Sequence, residues 1–337
     1  MADSNEPKRP RIGYLAGGDH MTGFVDEEKI LGNPGSTDLY HLRDRALDQW
    51  LRIQIPRNYL RIEPKYNFAN FDILLNLITD PDQNPTTLKL LEKVLKHYKG
   101  RQLNRADAVL RATRDQVALA LAGIDGLIVP KVARFVGKER VALSAIEKVG
   151  CSFPAILRST GTHSGRIVGV MESAAALLRQ IQPSESYFLT QFVNTRGADG
   201  LYRKMRVFFI GDTQVIRHWL ISDQWNVHAA DRTRFMAGKP ALVAEERGLV
   251  EGGIAALPEK TRATLQQMKA RMRLDFFGAD LSLQDDGSLV LFEANPTMNF
   301  FPLSSDPQFA YLEIARKRAA DAFAHMLYPT GIPRAAI

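Results

Sequence analysis

The chain has 337 residues, room for roughly two or three domains of about 150 residues each. Apolar residues at 45% and charged residues at 24% match an ordinary globular protein. Forty-four Lys plus Arg against 37 Asp plus Glu leave a net charge of +7, which suits polyanionic ligands such as nucleotides. Nucleic acid is compatible with that charge, but no basic run interleaved with aromatics and no zinc-finger spacing supports it. Cys151 is the single cysteine, so no intramolecular disulfide forms, as suits a reducing cytoplasm. The polar start of the chain lacks the apolar core of a signal peptide, and no stretch approaches the ~18 apolar residues of a spanning helix. The expectation is a cytoplasmic protein with no membrane partner.

Along the chain, "RIGYLAGG" from Arg11 reads as a strand ending in a glycine turn, and "FDILLNLI" from Phe71 as a second strand. Thr86 or Thr87 is placed to cap the helix that follows, which ends at Gly100, and "RQLN" returns as a short strand. Strand, helix, strand is the grammar of a layered α/β unit with parallel pairing, set at residues 1–105. Helices are expected over 113–124, "ERVALSAIEKVG", 172–182 and "LPEKTRATLQQMKARMRL". Extended segments are expected at "LIVPKVARF", "FPAILRS", after "TGTHSG", and at "SYFLTQFV". Two hairpins stand out, one turning at Gly211-Asp212 and one at Asp286-Gly287. Asp306-Pro307 opens a last amphipathic helix reaching Leu327.

The second hairpin raises a chemical question. Taken as a two-residue turn, Asp286-Gly287 sets Asp280 directly opposite Glu293. Period-two alternation puts Asn295 on the same face and turns Phe292 and Ala294 toward a core. Like charges directly opposed on a sheet are destabilising. One carboxyl can keep a proton, or a cation can sit between them. Oxygen donors without His or Cys favour a hard ion such as Mg²⁺. A surface hairpin with two solvated acids meets the same spacing.

A late strand bearing Asp, a hairpin, and a strand reading Glu-x-Asn-Pro resembles the ATP-grasp superfamily of carboxylate–amine ligases, which includes glutathione synthetase and the ribosomal-protein glutamate ligases. The resemblance runs from about Phe71 to Pro302. It implies an α/β and α+β chain: a pre-ATP-grasp domain at 1–105, a central subdomain at 106–185 and a C-terminal subdomain at 186–337. It further implies that Asp280, Glu293 and Asn295 ligate Mg²⁺, two ions in all, with Mn²⁺ a substitute. "FPAILRSTGTHSG" looks like the strand and flexible loop that close over the ATP triphosphate, with Gly161, Thr162, His163, Ser164 and Gly165 offering backbone N–H groups. Gln191, Phe192 and Val193 fall where the family reads the adenine edge. Arg206 falls where it stabilises γ-phosphate charge.

Three departures accompany the match. Arg158 stands where a phosphate-binding lysine is common, an exchange that keeps the charge. Asp115-Gln116 replaces Asp-Lys, with Arg111 or Arg114 able to compensate. Lys204 replaces an acid. The implied reaction is ATP-dependent amide formation through an acyl phosphate, joining small-molecule or peptide carboxylates and amines. The alternatives are a small-molecule kinase and a nucleotide-binding module without turnover. Arg217, Arg232 and Arg234 are candidates to hold substrate carboxylates, Arg217 as a catalytic residue. His218 and His228 read as structural or loop residues. "GGDH" at Gly17 to His20 ends the first strand, where α/β sheets place ligands, within reach of an acceptor. A homo-oligomer is compatible with these features.

Overall fold

The computed structural model describes residues 10–21, 35–43, 51–63, 65–161, 167–300 and 306–329. Near the start, β1 (Ile12–Gly18), β2 (Leu51–Pro56), β3 (Ile73–Asn76) and β4 (Arg101–Leu103) form a sheet in the order β2-β1-β3-β4. All its pairings are parallel, as the α/β grammar requires. Strand β2 was not foreseen, although Leu51, Ile53 and Ile55 alternate as a half-buried strand should.

Helix α1 (Pro85–Val94) starts earlier than a threonine cap allows. Pro85 occupies its first turn, where a missing N–H costs nothing. The acceptor comes from elsewhere: Asp19 takes the N–H groups of Thr86 and Thr87 at 3.0 and 2.6 Å. Asp19 therefore caps a helix. Burial raises the Asp19 pKa, but the bonds from Thr87 and Thr86 outweigh it and the net shift is downward. A folded-state pKa that is depressed stabilises above the unfolded value and loses that stabilisation as pH falls. Asp19→Ala is expected to cost about 1 kcal/mol at pH 7. Its deficit against the parent should close as urea melts are taken below about pH 4; a gap independent of pH would remove the charge from the cap.

Next come α2 (Ala106–Leu110), α3 (Arg114–Leu121), β5 (Leu127–Ile128), β6 (Val132–Val136), α4 (Glu139–Val149), β7 (Ala155–Ser159), β8 (Ile167–Met171), α5 (Ala174–Leu178) and β9 (Ser186–Gln191). Strands β6-β9-β7-β8 make an antiparallel sheet over their own core of Ala133, Phe135, Ile146, Leu157, Leu177 and Leu189. The remaining elements are β10 (Tyr202–Ile210), β11 (Thr213–Ser222), α6 (Pro240–Gly252), α7 (Glu259–Met272), β12 (Phe276–Leu283), β13 (Leu289–Asn295) and α8 (Leu312–Leu327). The third sheet runs β11-β10-β12-β13-β5. Phe209 and Phe277 stack at 4.3 Å in its core. Helix α6 was missed, although Pro240 at its start and Gly253 just past its end are ordinary boundary signals. Asp306 caps only a short 3₁₀ turn over Pro307–Phe309, and α8 begins at Leu312.

Asn104 locks the first sheet to the third. Its Oδ1 accepts the N–H groups of Asp275 and Phe276, both at 2.9 Å, and its Nδ2 donates to the Phe276 carbonyl at 2.7 Å. Its φ of 49° is left-handed, a region Asn enters more readily than most side chains. No helix among the described residues is long and apolar enough to cross a membrane.

Candidate active site

The hairpins behave differently. Ile210 pairs with Thr213, so Gly211-Asp212 is the two-residue turn expected. The β12–β13 loop is longer: Gly287 N–H bonds to Gln284 O and Gln284 N–H to Ser288 O, enclosing Asp285, Asp286 and Gly287. That turn alone would slip the register by one. A bulge restores it, because Leu281 faces Leu291 while Asp280 faces Glu293, leaving Phe292 as the extra residue. The expected Asp280–Glu293 pairing thus stands, but Phe292 is only partly buried and lies outside the core, whereas Ala294 is inside it at 4% exposure.

Registered neighbours share a face, so one row crosses the sheet: His218 on β11, Arg206 on β10, Asp280 on β12 and Glu293 on β13. Arg206 grips Asp280 with two bonds, Nε to Oδ1 at 2.6 Å and Nη2 to Oδ2 at 2.8 Å. Lys204, two residues earlier on β10, lies 3.5 Å from Asp280 Oδ2. Burial pushes the Asp280 pKa up, but Arg206 and Lys204 overcome it and bring it down to about 2. Asp280 is therefore ionised throughout the physiological range. Glu293 is met by Arg114, the first residue of α3, at 2.9 Å, and by the Asn295 amide at 2.8 Å. Arg114 also donates to the Phe292 carbonyl at 3.0 Å.

Arg158, on β7, joins this cluster from the second sheet. Burial and the nearby Arg114 lower its pKa to about 10, against the pull of Glu293 and Asp280. Gly161 follows at φ 68°, with no described residue within 4 Å of where a Cβ would stand. Thr162, His163, Ser164 and Gly165 lie outside the described residues. On β9, Gln191 donates its side-chain amide to Ser152 at 3.0 Å, and Phe192 N–H goes to the Pro154 carbonyl at 2.9 Å. The Phe192 ring meets Trp225 edge-on at 5.5 Å. Val193 is half-buried just beyond the strand.

Several candidate side chains are engaged within the protein. Arg111 pairs with Asp107 at 3.0 Å, whereas Arg114 reaches Glu293 at 2.9 Å. Arg232 binds Glu246 at 2.6 Å, and Arg234 binds Asp231 at 2.7 Å and Asp223. Arg217 sits at a bulge in β11, 6% exposed, with its guanidinium 4.8 Å from the Phe300 ring. Burial and Arg232 lower its pKa to about 10.

The Glu246 network was invisible to residue-by-residue reading. Glu246 is wholly buried and also accepts from Tyr311 Oη at 2.7 Å and Trp219 N–H at 3.1 Å. Its position between Val243 and Val250, on the buried stripe of α6, was the available signal.

Among the described residues no three His, Cys, Asp or Glu side chains gather around one point. Two carboxylates and an amide are a sparse oxygen set, the kind that leaves magnesium positions open for phosphate oxygens. In this structure those oxygens are engaged by Arg206 and Lys204 at Asp280, by Arg114 at Glu293 and by the Thr297 N–H at Asn295.

No protein-family model and no curated protein matches the chain. Solved structures do. VanG D-Ala:D-Ser ligase from Enterococcus faecalis superposes with a TM-score of 0.54 at 11% identity, over 95% of this chain and all (100%) of that one. An ATP-grasp RimK domain protein from Sphaerobacter thermophilus gives 0.50 at 13%, over 95% and 98%. A RiPP-associated ATP-grasp ligase from Chryseobacterium gregarium, complexed with ADP and a leader and core peptide, gives 0.51 at 10%, over 95% and 97%. The chain has the ATP-grasp fold.

Proposed function

We propose that the protein is an ATP-dependent carboxylate–amine ligase, with a pre-ATP-grasp domain at 1–105 and nucleotide-clasping halves at 106–185 and 186–337. The observation that carries this reading is the row Arg206–Asp280–Glu293, flanked by Arg114, Arg158 and Asn295. ADP in the peptide-ligase neighbour supports ATP as the nucleotide. Arg158 and Arg114 hold the triphosphate, the loop from Gly161 covers it, and the segment Gln191–Val193 flanks the adenine. Asp280, Glu293 and Asn295 would hold magnesium, which would neutralise charge on the phosphates.

The substrate carboxylate oxygen attacks the γ-phosphorus and ADP departs, giving an acyl phosphate. The amine nitrogen then attacks the carbonyl carbon, inorganic phosphate leaves, and an amide remains. Arg206 holds its guanidinium on the sheet face where γ-phosphoryl charge develops. No protein nucleophile is needed. The buried, lone Cys151 suits a cytoplasmic setting.

The test is a screen of amino acids and short peptides with ATP and Mg²⁺, reading phosphate release and product mass together. ADP, free phosphate and a product lighter than its two parts by one water are expected. Phosphate retained on the acceptor would replace the ligase by a kinase; nucleotide binding without either product would make the chain a regulatory module.

A further inference from the structure

The first and third sheets share one continuous core, whereas the sheet β6-β9-β7-β8 packs over a core of its own. Its placement against the rest of the molecule therefore depends on side chains that reach across. Arg134, on β6, is such a side chain. Its Nη2 donates to Asp82 Oδ1, in the turn between β3 and α1, and its Nη1 lies 3.7 Å from Asp115 Oδ1, in the first turn of α3. Both acceptors are well held. Asp80 Oδ1 fixes the Asp82 turn by accepting the N–H groups of Asp82 and Gln83 at 2.9 and 3.0 Å. Asp115 follows Arg114, which binds Glu293 of the third sheet, so the first turn of α3 meets two sheets with adjacent residues. Asp115 Oδ1 is buried and makes no hydrogen bond, although such atoms are nearly always paired. A further approach of about 1 Å by Arg134 Nη1 would pair it. On its other side the Arg134 guanidinium lies 5.2 Å from the Phe188 ring. Phe188, on β9, is in register with Arg134 on one flank and with Arg158 on the other. One row thus runs from the ion pairs to Arg158.

We propose that Arg134 is a positioning residue: by gripping Asp82 and Asp115 it docks the β6-β9-β7-β8 sheet so that Arg158 meets the Asp280–Glu293 end of the third sheet. The inference rests on the ligase reading only in placing the nucleotide triphosphate at Arg158. Arg134 touches no reacting atom. It raises the fraction of molecules in which Arg158 is already in place, and apparent affinity for the nucleotide scales with that fraction.

The test uses the full chain with spin labels at Leu60→Cys, on the first unit, and Val141→Cys, on α4, both exposed positions; Cys151 is buried. Pulsed electron resonance on the nucleotide-free protein should give one narrow distance distribution, which Arg134→Gln and Asp82→Asn each broaden toward longer distances. By calorimetry, each of these two variants should bind a non-hydrolysable ATP analogue with Mg²⁺ about fivefold more weakly than the parent. The Arg134→Gln/Asp82→Asn double variant should also lose about fivefold, rather than the roughly twenty-five-fold of two independent sites. Distance distributions that match the parent in both single variants overturn the docking. Unchanged analogue affinity in both, or losses that multiply in the double variant, overturn the positioning role. A parent protein that fails to bind the analogue, with the distributions still broadened by the variants, overturns the ligase reading and leaves the docking by Arg134 standing.

Discussion

Glu293→Ala is expected to lower ATP-dependent phosphate release by about a thousandfold, the scale of losing one transition-state charge partner, while the fold survives. The side chain is 36% exposed, so its deletion leaves no deep cavity. Arg114 keeps its bond to the Phe292 carbonyl and is itself 14% exposed, so the lost ion pair costs about 1 kcal/mol or less. Function suffers more. Asp280 is already held by Arg206 and Lys204, so Glu293 carries the remaining negative charge at the end of the row. Removing it takes away a negative charge that acts on both Arg114 and Arg158, and the oxygen set is reduced to one carboxylate and an amide. The isosteric Glu293→Gln variant should lose nearly as much, because charge rather than shape is what it removes. Phosphate release within threefold of the parent in Glu293→Ala, on a protein that binds ATP, would remove the metal assignment.

The largest stability loss is expected at a residue outside the reaction. Glu246→Ala should cost about 3–5 kcal/mol in urea unfolding, the range for removing one partner of a buried ion pair. Glu246 is wholly buried, and Arg232 remains 10% exposed with its guanidinium 5.5 Å from the Phe309 ring. Without Glu246, that charge, the Tyr311 hydroxyl and the Trp219 N–H lose their shared acceptor together. Burial and then Glu246 raise the Tyr311 pKa, in keeping with a hydroxyl that donates to a carboxylate. Because the network ties α6 and α8 to the edge strand β11, the loss should appear as a lower unfolding midpoint with an unchanged slope. A midpoint within the error of the parent would mean that the carboxylate is not the acceptor holding these elements.

The two variants separate the roles of charge in this molecule. Glu293 faces a partly open site and is expected to fail in activity. Glu246 is sealed behind the sheet edge and is expected to fail in stability. Measured on the same preparations, the pair distinguishes an active-site carboxylate from a structural one.

Alternation and turn chemistry act over a few residues, and they alone determined that Asp280, Glu293 and Asn295 share a face, that Gly211-Asp212 closes a tight hairpin, and that the first unit is a parallel sheet. Even there, the Asp280–Glu293 register came from a longer turn compensated by the bulge at Phe292, two local choices that pattern does not resolve. What neutralises the two carboxylates was settled only by tertiary structure. Arg114 reaches Glu293 from the start of α3, Arg206 reaches Asp280 across the sheet, and Arg158 arrives from a different sheet. Such pairings depend on how helices and sheets pack in space, and segments this far apart in the chain carry no local signal of meeting. For the same reason Glu246 and His218 read as ordinary residues until the fold enclosed them, one with partners and one without.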